Sequence, residues 1–427
     1  MTSFDEKDII DVEPNSLNLR DSTYRLSKPP SGTVFTCWTA LSKTMIGTGM
    51  LALAYGFSKC GWILGFFLLA FAGGGAVFTL HLLGVLAMHS PTRRVTFFTV
   101  AEECAPWSKW IVDVAIAVKC IGVGISYIQV SSDTISSTIG LWSGNAISKT
   151  LLRDITVIVL VIIISPICLS KSISRTMIVN ILGLVSVAYV VILSVCLVEV
   201  GAPTHWGVPH SSSFMSVLAV FPTFIFAFTC HQNVFLCAED LNERTQKKLD
   251  IIAFCSEAAA LCWFVPAIIF PYITFGASVQ SNFVLSYDDT SVVVQIAYLL
   301  LGIAEVCAFP LQALPARKSL LVLILRDKVI SPKMELYSRI AVGTALLLLT
   351  VAVAISVKSL GYTLSFVGII GSNTITFIMP TFLYCMTLHK AGLPKGTKWF
   401  MSAGLCVIGL LLVPLCLSSL IYEIASR

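Results

Sequence analysis

The chain of 427 residues is 56% hydrophobic and only 12% charged, with a mean hydropathy of +0.88. These values exclude an ordinary soluble domain. The net charge of +5 would suggest acidic partners in a soluble protein, but here the positions of the charges decide its meaning. We therefore expect an all-α polytopic membrane protein, with the lipid bilayer as its surroundings and no nucleic-acid partner.

The first 30 residues differ in composition from the rest of the chain. They mix acidic residues with Asn, Ser and Pro and contain too little apolar surface to fold alone. We predict a disordered cytoplasmic tail over residues 1–30 and a transmembrane domain over residues 31–427. A cleavable signal is not expected, because the first apolar run follows this polar stretch and is long enough to be a span itself.

Eleven apolar stretches are long enough to cross a hydrocarbon layer of roughly 30 Å. They cover about residues 34–57, 61–88, 110–136, 152–168, 176–198, 214–238, 249–277, 291–316, 335–357, 362–388 and 397–423. Alternate connections, beginning with the N-terminal tail, contain 21 of the 28 Lys and Arg residues, whereas the opposite connections contain five. This bias predicts eleven spans with the N-terminus cytoplasmic and the C-terminus extracellular or lumenal.

The first apolar stretch is interrupted by two glycines and two threonines, at Thr44, Gly47, Thr48 and Gly49. Each glycine weakens a helix, and a break frees backbone groups that lipid cannot satisfy. Its N–H groups and the positive end of the next half-helix can hold a carboxylate, while its carbonyls can hold an ammonium group or another cation. A zwitterion carries both of these charged groups and could therefore bind to both helix ends at the break. The alternative is a glycine-lined packing seam between helices.

A second interruption lies in the sixth stretch, where residues 228–233 read Phe-Thr-Cys-His-Gln-Asn. These polar side chains are costly in hydrocarbon unless they line a cavity or pair across helices. Two broken helices five spans apart predict an inverted-repeat transporter with its substrate near the bilayer midplane. His231 is either a proton sensor, because histidine titrates near neutral pH, or a hydrogen-bonded structural residue.

Glu305 is a carboxylate deep within the eighth stretch, and Lys43 lies at a comparable depth in the first. A buried, unpaired carboxyl favours its protonated form and can carry a proton, whereas an ion pair with Lys43 would keep it charged. We favour the proton carrier and keep the static ion pair as the alternative. Glu257 in the seventh stretch is a weaker proton-relay candidate.

Four blocks of sequence carry a likeness to a known family: residues 44–51 (TMIGTGML), 226–235 (FAFTCHQNVF), 309–320 (FPLQALPARKSL) and 366–372 (FVGIIGS). In combination they resemble the amino acid/auxin permease family, which includes vacuolar amino acid transporters and the neutral amino acid transporters of systems A and N. The likeness extends over roughly residues 30–425.

The resemblance implies a five-plus-five inverted repeat with an added eleventh helix, broken helices 1 and 6, and secondary transport of amino acids. It also places the carboxylate and amino groups of the substrate on one segment of backbone: Thr44, Met45, Ile46, Gly47, Thr48 and Gly49. Opposite this segment it places Phe228, Thr229 and Cys230.

Two departures from the family pattern bear on the site and on the coupling ion. Ala54 stands where a proline is common, which leaves the geometry of the outer half-helix open. Sodium-coupled members commonly supply hydroxyl oxygens from the eighth helix, as a hard cation requires, but residues 304–308 read Ala-Glu-Val-Cys-Ala. The lack of hydroxyl side chains in this segment favours coupling to protons, with coupling to sodium as the alternative.

The interpretation is therefore a proton-coupled amino acid transporter that works by alternating access, with small neutral amino acids as the preferred substrates. A non-transporting amino acid sensor with the same fold is a rival. An intramembrane enzyme is disfavoured, because the spans contain no HExxH, GxSxG or paired-aspartate arrangement. We expect no cofactor and no metal site. Protein partners and the choice between vacuolar or lysosomal and plasma membranes stay open.

Overall fold

The computed structural model describes residues 32–90, 93, 95–144, 146–170, 176–198, 213–325 and 331–426. Within these ranges the chain is helical, and its only extended pairing is an isolated bridge between Gly32 and Leu241. The predicted N-terminal tail lies outside the described residues.

The helices follow one another as α1 (Val34–Met45), α2 (Thr48–Leu51), α3 (Leu53–His89), α4 (Phe97–Cys104), α5 (Lys109–Trp142), α6 (Lys149–Leu169), α7 (Thr176–Cys196), α8 (Phe214–Ala227), α9 (Val234–Asp240), α10 (Gln246–Phe275), α11 (Val292–Leu325), α12 (Pro332–Ser356), α13 (Leu360–Val367), α14 (Met379–Lys390) and α15 (Thr397–Ala425). Nine helical segments of the described chain are long and apolar enough to cross a membrane. The all-helical membrane fold is thus confirmed, whereas the count of eleven spans and the five-plus-five repeat stay predictions.

α3 combines the end of the first predicted span with all of the second. Gly61 separates the two parts, with φ 71° and ψ 175°. Positive φ is readily available only to glycine, so this residue lets the chain turn between the spans. Ala54, at the position where the family often has proline, is fully buried in the first turn of α3.

The pairing of α5 with α11 supports the middle of the fold. A Cβ added to Gly302 would lie 2.8 Å from the Thr134 hydroxyl, and the Ser131 hydroxyl donates to the Gly302 carbonyl at 2.8 Å. Small residues therefore bring these two helices into close contact, as in other membrane interfaces.

A buried ion pair joins α5 to α6. The Arg153 guanidinium bonds to the Asp133 carboxylate and also donates to the Ala354 carbonyl of α12 at 3.0 Å. These contacts give Asp133 a structural role in holding three helices together.

Candidate functional site

The first helix is interrupted where the glycine-threonine pattern predicted. α1 ends at Met45, and Ile46 and Gly47 have extended backbone before α2 begins at Thr48. No side chain caps the start of α2, and the Met50 amide donates to the Gly47 carbonyl at 3.1 Å. The amides of Thr48 and Gly49 come before that bond, at the positive end of the new helix.

The sixth span is interrupted between α8 and α9. α8 ends at Ala227, a 3₁₀ turn covers His231–Asn233, and α9 begins at Val234. The Thr229 amide donates to the Phe226 carbonyl at 3.1 Å, and the Asn233 amide donates to the Cys230 carbonyl at 3.0 Å.

The two interruptions meet in the folded chain. The Asn233 Nδ2 group donates to the Thr44 hydroxyl at 2.8 Å, and that hydroxyl donates to the Ala40 carbonyl at 2.8 Å. A Cβ added to Gly49 would lie 2.9 Å from the Phe226 ring and 3.3 Å from the Ala227 Cα. The structure therefore brings together the two segments that sequence reasoning had singled out separately.

A third wall of the site comes from α5. The hydroxyls of Thr48 and Ser126 lie 3.2 Å apart, and Ser126 also donates to the Val123 carbonyl at 2.8 Å. Sequence reasoning did not identify Ser126. The only available signal was a cluster of small residues in this helix, which also fits a packing seam.

The side chains proposed to face the substrate from the sixth span contact protein groups. The Phe228 ring packs against the Phe264 ring, with centroids 5.2 Å apart, and it also lies beside Gly73. The Thr229 hydroxyl donates to the Ile225 carbonyl at 2.7 Å and lies 3.1 Å from the Thr376 hydroxyl. Cys230 is fully buried.

His231 is buried beside α3. Its Nε2 lies 2.8 Å from the Thr79 hydroxyl, which donates to the Gly75 carbonyl at 2.9 Å. This contact fits the structural role that the sequence left open for His231.

Lys43 and Glu305 are not paired in the part of the chain that the structure describes. The Lys43 ammonium has no hydrogen-bond partner there, although its side chain is only partly exposed. Glu305 is 6% exposed and forms no ion pair with the described residues, and Tyr127 lies within electrostatic reach of its carboxylate. The ion pair is thus absent from this conformation.

Glu257 is a second buried carboxylate near the site. It is 5% exposed, and neither of its oxygens has a hydrogen-bond partner among the described residues. It lies within electrostatic reach of the Cys230 sulfur. The sequence places Glu257 about two turns into the seventh span and makes it a weaker proton-relay candidate than Glu305; spacing along one helix does not show which residues of another helix it faces.

Residues 30–422 match the family described as transmembrane amino acid transporter protein. The chain belongs to this family. Vacuolar amino acid transporter 5 of Schizosaccharomyces pombe is 27% identical over 88% of this chain and 92% of its own length. A relative from Xenopus tropicalis, named for sodium-coupled neutral amino acid transport, is 24% identical over 83% of this chain and 84% of its own.

A solved structure supports the fold. The crystal structure of MhsT in complex with L-phenylalanine superimposes with a TM-score of 0.55 and covers 92% of this chain and 100% of MhsT, at 14% identity. The predicted family and helical membrane fold are therefore confirmed, and the chain is a member of a transporter family and not an enzyme.

One face of α1, next to the first break, is partly exposed. The face of α1 that leads to the break is partly or fully exposed and consists of Thr36, Thr39, Ala40, Lys43, Thr44 and Gly47. These residues recur every three or four positions and so share one side of the helix. α1 packs mainly against α10, so its other side can line a passage.

The opposite side of the site is closed. Met50 and Leu53 are fully buried, and the Phe57 ring lies 5.8 Å from the Phe224 ring and 5.0 Å from the Phe66 ring. The break is therefore covered by packed apolar side chains on this side, whereas the face of α1 on the other side is partly exposed.

Proposed function

We propose that this protein is a secondary active transporter that binds an amino acid at the break between α1 and α2 and moves it by alternating access. The contact between Asn233 and Thr44 carries the proposal, because it joins the two helix interruptions at 2.8 Å. Unwound backbone at membrane depth is tolerated where it is buried in protein or lines a water-filled cavity, and in broken-helix transporters it holds the substrate.

The chemistry of the first break suits a zwitterion. The amides of Thr48 and Gly49 are donors for a carboxylate. The carbonyls at the end of α1 are acceptors for an ammonium group, which places both fixed charges of an amino acid on backbone.

Small neutral amino acids are the proposed substrates. The ring of Phe226 and the backbone of Ala227 pack directly against Gly49, so the protein surface beside the break is apolar. The substrate side chain would then occupy a pocket whose polar contacts are confined to the two ends of the molecule.

Proton coupling through Glu305 is the proposed driving force. The carboxylate is buried and lacks an ion-pair partner in the described chain, which suits a group that takes up and releases a proton. His231 and Lys43 are the other candidates for coupling or gating. Sodium coupling is the second candidate, favoured by the name of the Xenopus relative.

The N-terminus is proposed to be cytoplasmic and the C-terminus extracellular or lumenal. On that assignment the passage along α1 opens to the cytoplasm. The membrane is vacuolar, lysosomal or plasma membrane, with the fission yeast relative favouring a vacuole.

Uptake by proteoliposomes tests the proposal. Purified protein is reconstituted, and radiolabelled amino acids are added with a pH gradient, a sodium gradient or no gradient. We expect accumulation with the pH gradient alone and its loss in Glu305→Gln. Glu243→Gln is the matched control, because that carboxylate is 82% exposed on the loop between α9 and α10.

Other outcomes contradict parts of the proposal. Accumulation driven only by sodium rules out proton coupling, and loss of pH-driven uptake in both variants removes the case for Glu305. Binding without uptake under any gradient supports an amino acid sensor instead.

A further inference from the structure

The interruption of the sixth span is held by an ammonium group from another helix. Lys119 is a charged residue within α5, a helix long and apolar enough to span a membrane, and its side chain is buried, with 6% exposed. Its Nζ donates to the Thr229 carbonyl at 3.1 Å and to the Gln232 Oε1 at 2.8 Å. Both acceptors belong to the segment between α8 and α9.

The end of a half-helix is a place where oxygen atoms attract cations. The carbonyls that follow the last turn of α8 have lost their helical partners and carry partial negative charge. In broken membrane helices such carbonyls coordinate a bound cation. Here the Lys119 ammonium takes two of the available oxygens.

The backbone of α5 is placed so that Lys119 reaches this position. A Cβ added to Gly371, in the π-helical segment Gly368–Ser372, would lie 2.9 Å from the Lys119 Cβ and 3.0 Å from its Cα. Only a residue without a side chain permits this approach, so the fold holds Lys119 against the break.

No carboxylate forms an ion pair with Lys119 among the described residues, and its ammonium lies within electrostatic reach of Cys230 and His231. An ammonium group has three donors, and the two bonds to the break account for two of them. The charge of Lys119 is therefore directed to the oxygens of the break and not to an acidic partner.

We infer that Lys119 is an internal cation of the sixth-span break. Its ammonium group binds the oxygens of Thr229 and Gln232 that would otherwise coordinate a monovalent cation. The break then needs no inorganic cation from solution. Lys119 is a positioning residue, because it acts on the substrate site through the backbone of the break. This inference rests on the proposed function and narrows it, since it excludes sodium from this position.

Cation titrations of thermal stability test the inference without requiring transport. The melting temperature of wild type and Lys119→Ala is measured in sodium or ethylammonium chloride against choline chloride, whose cation is too large for the space left by the lysine. We expect no cation-specific change for wild type. The variant is expected to melt at a lower temperature in choline and to regain several degrees with ethylammonium or sodium, by mass action. Ethanol, the neutral analogue, should have no effect.

Uptake provides the second measurement. The rate of wild-type uptake is expected to be equal in sodium and choline. In Lys119→Ala the rate of uptake is expected to fall roughly tenfold or more, which is the effect typical of losing a buried hydrogen bond to a charged group. Ethylammonium should restore part of that loss.

One result overturns the inference: a cation response in Lys119→Ala that is the same as in wild type. If Lys119→Ala does not fold, Lys119→Ser is titrated instead, because its short side chain also leaves the ammonium position empty; a missing cation response there also overturns the inference. Absence of uptake by wild type under every gradient refutes the proposed function, whereas the titrations still decide the role of Lys119.

Discussion

The two interrupted helices of this protein differ in how their polar groups are satisfied. At the break between α8 and α9, three polar side chains have protein partners: Thr229 bonds to Thr376, His231 to Thr79, and Gln232 to Lys119, while the second ring nitrogen of His231 has no partner among the described residues. At the break between α1 and α2, the start of α2 has no side-chain cap, as is also true of α9, but here a partly exposed face of α1 leads to the break.

This difference distinguishes a segment that protein contacts hold in place from a segment that can bind a ligand. A buried polar group without a partner costs free energy, so groups that the protein satisfies itself contribute to a fixed structure. Groups left open at a helix start are available to a ligand. On the proposed function, the first break binds and releases the amino acid, while the protein contacts at the sixth help to hold the shape of the site.

The largest effect is expected from adding a methyl group to Gly49. The new Cβ would lie 2.9 Å from the Phe226 ring and 3.3 Å from the Ala227 Cα, and overpacking of this kind costs about 1–3 kcal/mol. Gly49→Ala should therefore lower both thermal stability and uptake. Gly47→Ala is the matched control, because nothing lies within 4 Å of its added Cβ; it should keep stability and raise only the KM for the amino acid. Equal losses of stability in both variants would contradict the proposed difference between these two positions.

A smaller effect is expected at His231. If this residue only secures the sixth break, His231→Leu removes one buried hydrogen bond and lowers the free energy of unfolding by about 1 kcal/mol. The pH profile of uptake should keep its shape, and Thr79→Val should cost a similar amount. A shifted pH profile in His231→Leu alone would return His231 to a proton-coupling role.

An effect of comparable size, measured as a coupling energy, is expected where the two breaks touch. Thr44→Val and Asn233→Leu each remove the bond between them, and a double-mutant cycle on amino acid affinity should give a coupling energy of about 0.5–1.5 kcal/mol. Additive effects would mean that the contact does not link the breaks during binding.

The sequence predicted the two interruptions because glycine, threonine and histidine in an apolar segment have few structural explanations in lipid. It could not predict which polar groups remain open. Phe228 and Thr229 were expected to face the substrate, but their partners Phe264 and Thr376 lie on other spans, and no periodic pattern connects them. Ser126 was missed for the same reason, since a serine among small residues is typical of any close helix contact.

The partners of the charged residues inside the spans could not be predicted from the sequence either. Lys43 and Glu305 lie at similar depths, which made an ion pair plausible from the sequence, yet they do not pair with each other in the described chain. Depth along a helix axis can be counted from the sequence at about 1.5 Å per residue. The direction in which a side chain points depends on helix packing, so the contact of Lys119 with the sixth span was not predictable.

The most direct test of the account is an experimental structure of the protein with a bound amino acid. The account predicts a carboxylate on the amides of Thr48 and Gly49, with the bonds from Lys119 to Thr229 and Gln232 unchanged. An amino acid bound at the sixth break in place of Lys119, or at a position that touches neither break, would contradict it.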